Sequence, residues 1–299
     1  MKSIFFICVL TSSVLVVFYL ADGTTDAFYK KFTSPKQRSL IIGTSRAAQG
    51  IHPEVINLHM DVGVYNYAFS RVHTPYGEPY YDSVLRKLDT TSTNGVFILE
   101  VTPWTISDYT IAHSIVDESQ SFLGTVGSVA SCPNFSYLFY GFQDRYITIL
   151  ERRFFKQDPA EVFVHDDGWV EVSFTDEQQS AIVKREHSTL DSYTALVKTY
   201  QDVSEQRLAY LERLIMTLQS YGHVYLVRLP VADGMLRIET EYMPDFDRVI
   251  TRLSETYKVP YINAMPERHV YGYTDGHHLD ILSGKRFSEY LVNQIEALH

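Results

Sequence analysis

The sequence predicts an α/β protein: a three-layer α/β/α sandwich around a mostly parallel central sheet, of the flavodoxin-like kind. Short apolar runs recur along the chain with helical stretches between them, and strands buried on both faces read as continuous apolar runs. A composition of 45% apolar and 21% charged residues over 299 positions is that of a globular chain. No repeat of fixed period and no sustained heptads occur, which excludes a solenoid and a coiled coil.

The chain opens with Lys2 followed by SIFFICVLTSSVLVVFYLA, uncharged from Ser3 to Ala21. As a helix, Ser3 to Leu20 would reach about 27 Å, close to the ~30 Å hydrocarbon thickness of a bilayer. Residues 1–22 therefore read as a signal anchor, or as a signal peptide cut at Ala21-Asp22-Gly23. An apolar core longer than the usual ~7–15 residues favours the anchor. Residues 23–38 read as a polar linker. Either reading puts residues 39–299 outside the cytoplasm, as a single-pass cell-membrane protein or, if cleaved after Gly23, a secreted or periplasmic one.

The first strand is Ser39-Leu-Ile-Ile-Gly43, ending in a glycine turn, and Asn94-Gly95 precedes the second, Val96 to Val101. A third runs from His223 to Pro230 and a shorter fourth from Val259 to Asn263. Between Val203 and Leu218, the residues Leu208, Leu211, Leu214, Ile215 and Leu218 recur at helical steps, with Gly222 beyond the helix end. The last helix takes Ser283 as its N-cap and carries Phe287, Tyr290, Leu291, Ile295 and Leu298 on one face. Residues 104–202 are too many for an ordinary crossover and read as an insertion, with a small β element at Gly168 to Phe174 after the turn Asp166-Asp167-Gly168. Insertions at strand ends often shape the substrate side.

With 26 Lys and Arg against 36 Asp and Glu, the net charge of −10 excludes a general nucleic-acid binder, whose phosphate contacts need clustered cations. The two cysteines, Cys8 and Cys132, provide no disulfide framework.

Two places could carry chemistry. In Gly43-Thr44-Ser45-Arg46 a serine follows a buried parallel strand, at the carboxyl edge where open α/β sheets bind ligands. Ser45 reads equally well as the N-cap of the next helix. Near the end, Tyr273-Thr-Asp275-Gly-His277-His278-Leu-Asp280 places an aspartate three residues before a histidine. The carboxylate can orient the imidazole while its other nitrogen takes a proton from a serine hydroxyl. A metal site built from His269, Asp275, His277, His278 and Asp280 is the alternative, though neither HExxH spacing nor a cysteine ligand accompanies them, and no metal is expected. Arg46 and Arg228 fall at predicted strand ends, either to hold a polar or anionic substrate group or to pair with carboxylates. Some of the 22 Tyr and 17 Phe could form platforms for sugar rings.

Taken in order, a strand with Gly-x-Ser near the start and Asp-x-x-His-Leu before a last helix, the pattern resembles the SGNH/GDSL hydrolase superfamily. Ile42-Gly43-Thr44-Ser45-Arg46 has Thr44 where the GDS form has Asp, and is similar to the GSSR-type branch of membrane-anchored bacterial envelope proteins. The resemblance implies Ser45 as nucleophile, His278 as proton carrier, Asp275 as its orienter and the Ser45 N–H as oxyanion donor, with no metal or organic cofactor. It implies an esterase or acyltransferase acting on an O-acyl, foremost an O-acetyl, group of an envelope carbohydrate. The middle blocks depart from the family. Tyr65-Asn66-Tyr67-Ala68-Phe69-Ser70 and Leu99-Glu100-Val101-Thr102-Pro103-Trp104 lack its Gly and Asn oxyanion donors, leaving Asn66 as a candidate donor or as a strand-end cap. That departure motivates the rival reading, a non-catalytic envelope protein binding a glycan or a membrane partner.

Overall fold

The computed structural model describes residues 2–26, 28–111, 114–115, 121–140, 144–155, 160–176 and 178–298. In chain order its elements are helices α1 (Lys2–Tyr19) and α2 (Tyr29–Thr33), strand β1 (Ser39–Ile42), helices α3 (Ser45–Gly50) and α4 (Pro53–Met60), strand β2 (Val64–Asn66), helix α5 (Glu78–Lys87) and strand β3 (Gly95–Glu100). There follow β4 (Ser107–Ile111), β5 (Ser114–Ile115), α6 (Phe122–Thr125), α7 (Phe135–Tyr140), α8 (Asp144–Phe154), β6 (Ala160–Val164), β7 (Val170–Phe174), α9 (Gln179–Val197) and β8 (Tyr200–Val203). The chain ends with α10 (Glu205–Gln219), β9 (Gly222–Arg228), α11 (Asp233–Tyr242), α12 (Phe246–Tyr257), β10 (Tyr261–Asn263) and α13 (Ile281–Glu296).

Five strands form a parallel sheet in the order β10-β9-β3-β1-β2. Alternate residues of a strand point to opposite faces, so each apolar run serves two cores. Leu40, Ile42, Phe97, Leu99, Val224 and Leu226 pack on one face with Val84 of α5, Leu211 and Leu214 of α10, and Ile250 of α12. Ile41, Val96, Ile98, Tyr225 and Val227 pack on the other with Ala47 of α3, Ile56 of α4, and Phe287, Leu291 and Ile295 of α13. This is the expected three-layer arrangement. The strand that apolar runs alone did not reveal is β2, a three-residue edge strand whose flank is taken by the turn of the antiparallel β6–β7 hairpin, where the Asn66 N–H donates to Asp167 O at 2.8 Å.

The last helix begins earlier than expected. Asp280, not Ser283, is its N-cap, accepting the Ser283 N–H at 2.7 Å, while the Ser283 hydroxyl accepts the Gly272 N–H at 2.7 Å. Leu298 is exposed rather than part of the buried face.

The stretch read as a polar linker is built into the domain instead. Phe32 is fully buried, its ring 4.9 Å from Tyr137 and 5.7 Å from Phe69. Lys31, also buried, donates to Asn66 O at 2.9 Å and Ala68 O at 2.7 Å, just past β2. Lys87 of α5 donates to Lys31 O at 2.9 Å and Val129 O at 2.8 Å. A buried ammonium is tolerated only where acceptors surround it, and these two lysines fasten the segment after α1 to the sheet edge. The apolar α1 is itself largely exposed; its buried residues are Val17 and Phe18 near its end, with Val14 packed partly buried against the same core.

Phe32→Ala is expected to destabilise the protein by about 3–5 kcal/mol, since it removes a large, fully buried side chain from the core. Urea denaturation of the two proteins in matched detergent checks this, and a loss below about 1 kcal/mol would mean the segment is not part of the core.

Candidate active site

β1 ends at Ile42 and the chain turns through Gly43 and Thr44 into α3. A side chain at Gly43 has no room, because its Cβ would lie 2.5 Å from both Cβ and Oε2 of Glu100 at the end of β3. Thr44, rather than Ser45, caps α3, accepting the Arg46 N–H at 3.2 Å. The Ser45 hydroxyl is thereby free of the cap. Ser45 occupies the first helical position, where the backbone N–H has no carbonyl four residues back within the helix to bond.

The second chain segment is the loop between β10 and α13. Gly276 turns there at φ +86°, a conformation that favours glycine. The Asp275 carboxylate accepts the backbone N–H groups of His277 at 3.1 Å and His278 at 2.9 Å, so the loop bends around its own carboxylate. Its Oδ2 lies 2.8 Å from His278 Nδ1, and His278 Nε2 lies 2.9 Å from Ser45 Oγ. With Asp275 ionised, Nδ1 carries the proton and Nε2 is the acceptor of the serine O–H. The Asp275 carboxyl is held far below the usual carboxylate range: burial alone would raise it, and the His278 charge together with hydrogen bonds from both histidines outweighs burial. Ser45, Asp275 and His278 are all partly exposed.

His277 is buried beside them, its ring 3.8 Å from that of His278. Burial and the neighbouring His278 charge push it down to about 3. Of the five residues weighed as metal ligands, Asp275, His277 and His278 stand together. His269 Nδ1 instead lies 4.0 Å from Asp233, Asp280 caps α13, and both nitrogens of His278 are taken up by Asp275 and Ser45.

The other sequence-predicted site residues lie nearby in different roles. Asn66 is fully buried, and its Nδ2 donates to Ala47 O at 2.9 Å and Ile51 O at 3.0 Å, holding α3 against β2. Its donors are committed to backbone carbonyls, which corrects its reading as an oxyanion donor. Arg46 and Arg228 are buried on one carboxylate: Glu239 Oε1 is 2.7 Å from Arg46 Nη1, and Oε2 is 3.2 Å from Arg228 Nη2. Arg228 also reaches Asp247 at 2.8 Å, and Trp104 Nε1 donates to Glu239 at 2.9 Å. Both guanidiniums are thus buried and ion-paired within the protein.

Two residues that shape the site were not found by sequence reasoning. Glu100 is fully buried and accepts both the N–H and the hydroxyl of Thr44; burial holds it above the usual range against the pull of Arg46. A lone charge closing an apolar strand was the available signal. Tyr193 comes from α9, in the insertion, with its ring 5.1 Å from His277 and 5.1 Å from Trp104. The same helix sends Arg185 to Thr274 O at 3.0 Å, so the insertion packs over the Asp275 loop.

His277 generates a pH prediction. The unfolded chain binds a proton there below about 6.5 and the folded chain only below about 3, so this contribution is present near neutrality and is lost as pH falls through that window. Each pH unit within it amounts to about 1.4 kcal/mol for one such group. Any deficit of His277→Asn relative to wild type should therefore shrink by about 2 kcal/mol between pH 6.5 and 4.5, measured by chemical denaturation. A pH-independent difference would refute it.

No family model and no curated relative matches the chain. Among solved structures it is similar to a carbohydrate acetylesterase from Sinorhizobium meliloti, with 11% identity and a TM-score of 0.41 over 88% of this chain and 100% of that one. It is similar also to the aryl esterase of M. smegmatis, with 10% identity and a TM-score of 0.40 over 88% of this chain and 100% of the esterase.

Proposed function

We propose that the chain is a serine esterase or O-acyltransferase of SGNH type, acting outside the cytoplasm on O-acyl esters of envelope carbohydrate. The observation that carries the reading is the continuous relay Ser45 Oγ, His278 Nε2, His278 Nδ1 and Asp275 Oδ2, with steps of 2.9 and 2.8 Å. Ser45 Oγ attacks the acyl carbon as its proton passes to His278 Nε2. Asp275 stabilises the resulting imidazolium through Nδ1–H without taking the proton itself. The Ser45 N–H, at the positive end of α3, donates to the oxyanion. His278 then protonates the departing alcohol oxygen, leaving an acyl-serine. Water or a sugar hydroxyl, deprotonated by His278, attacks that ester, and Ser45 recovers its proton. Water as acceptor gives an esterase and a hydroxyl gives a transferase. The apolar α1, long enough to span a bilayer, supports tethering at a membrane.

The rival, a non-catalytic glycan-binding protein of the same fold, is favoured by one observation: the Asn66 amide is committed to α3 and adds nothing to the oxyanion site. A fluorophosphonate probe separates the two. The wild type is expected to be labelled and Ser45→Ala to be unlabelled, with Ser45→Ala and Asp275→Asn lowering aryl acetate turnover by about 10⁴-fold or more. A folded wild type that is neither labelled nor active on aryl acetates would leave the binding protein as the reading.

A further inference from the structure

The chain after β2 continues beside β1, with the Tyr67 N–H on Ile41 O at 2.8 Å and the Phe69 N–H on Gly43 O at 3.0 Å. Ser70 and Arg71 thus emerge at the same sheet edge as Thr44 and Ser45, where the two segments part. The Arg71 guanidinium lies against two tyrosines supplied by the insertion, with Cζ 5.8 Å from the Tyr193 ring centre and 5.6 Å from that of Tyr200. Nη1 donates to the Tyr200 hydroxyl. Tyr193 touches His277, whose ring lies 3.8 Å from that of His278, so three successive contacts join Arg71 to the reacting imidazole.

Arg71 differs from the other arginines at this edge. Arg46 and Arg228 are buried on Glu239, whereas among the described residues no carboxylate lies within ion-pair distance of Arg71. Among the described residues, the bond to the Tyr200 hydroxyl is the hydrogen bond its guanidinium makes, and Arg71 is partly exposed. The acids in the neighbourhood are placed elsewhere: Asp108 pairs with Arg207 at 2.8 Å, and Asp202 and Glu205 line an open cavity that Arg71 does not border. The two tyrosines hold the guanidinium, and the Tyr200 hydroxyl takes Nη1, leaving the Nε and Nη2 edge without a hydrogen-bond partner among the described residues. That edge matches the two oxygens of a carboxylate or phosphate.

We propose that Arg71, held by Tyr193 and Tyr200, is an anion-recognising subsite beside Ser45, and that the substrate is an ester carrying a carboxylate or phosphate on its acyl or alcohol part, away from the scissile carbonyl. The inference rests on Ser45 being the reacting serine. It selects among esters a class that the net charge of −10 would otherwise disfavour.

The test compares kcat/KM of the full-length protein in detergent on two matched pairs: an aryl hemisuccinate against the aryl butyrate, and an O-acetylated sugar phosphate against the uncharged sugar acetate. Preference for the charged member is expected at about tenfold or more in at least one pair, with the pair identifying a carboxylated acyl group or a phosphorylated alcohol as the source. Arg71→Gln should abolish that preference, Arg71→Lys should keep part of it, and 0.5 M salt should weaken it. No preference in either pair, or a preference that Arg71→Gln leaves in place, would overturn the proposal. Binding of the acetylated sugar phosphate and of a hemisuccinate ester to Ser45→Ala and to the Ser45→Ala, Arg71→Gln pair reads the subsite without turnover. At least a tenfold loss of affinity for one of the two is expected, and equal affinities for both overturn the subsite. Failure of the wild type to take the fluorophosphonate sinks the esterase reading instead, so the two failures are distinct.

Discussion

Glu239 has almost no access to water, yet two guanidiniums and an indole N–H converge on its carboxylate. Burial works against its ionisation, and Arg46 and Arg228 together hold its proton affinity below the ordinary value. Removing one member of such a cluster leaves a charge stranded in a medium of low dielectric, which makes the group obligatory as a set. Its members come from the start of α3, the end of β9, the middle of α11 and the segment after β3. They tie together the parts of the carboxyl edge on which the serine loop rests. Glu100 extends the arrangement at Gly43, so the turn that presents Ser45 rests on a buried carboxylate and leads into a helix anchored by a buried arginine.

The position of Ser45 follows from this support. Three backbone and side-chain donors near it already have partners: the Thr44 N–H and hydroxyl on Glu100, and the Arg46 N–H on Thr44. The Ser45 hydroxyl is thus oriented by His278 instead of by helix capping. The Asp275 loop is similarly self-contained, wrapping its carboxylate in its own amides, and α9 presses on it from the insertion through Arg185. Two loops from distant parts of the chain thus meet with each held by its own set of hydrogen bonds.

The parallel sheet was legible where strands are long and buried on both faces, as in Val96 to Leu99, because such runs have no other stable use. β2 was not, since three residues at an edge carry too little periodicity to stand out. The serine and the Asp-x-x-His segment could be read because each is local and each abuts a recognisable strand or helix. The partners of Arg46 and Arg228 could not: Glu239 lies on a helix whose sequence gives no sign that one of its carboxylates is buried. Asn66 illustrates the same limit. Its residue type suits an oxyanion donor, but the carbonyls of Ala47 and Ile51 decide what its amide does. The linker reading of residues 23–38 failed for a related reason, since lysines caged by carbonyls are indistinguishable in sequence from lysines in water.

That caged segment has a mechanical meaning. If α1 lies in a bilayer as proposed, the docking of α2 through Phe32, Lys31 and Lys87 would hold the sheet close to the membrane surface. The serine would then stand at a set height and tilt above the lipid plane rather than sampling a sphere on a flexible leash. Its reach would be a thin layer parallel to the surface, and encounters with surface-bound molecules would be a search in two dimensions.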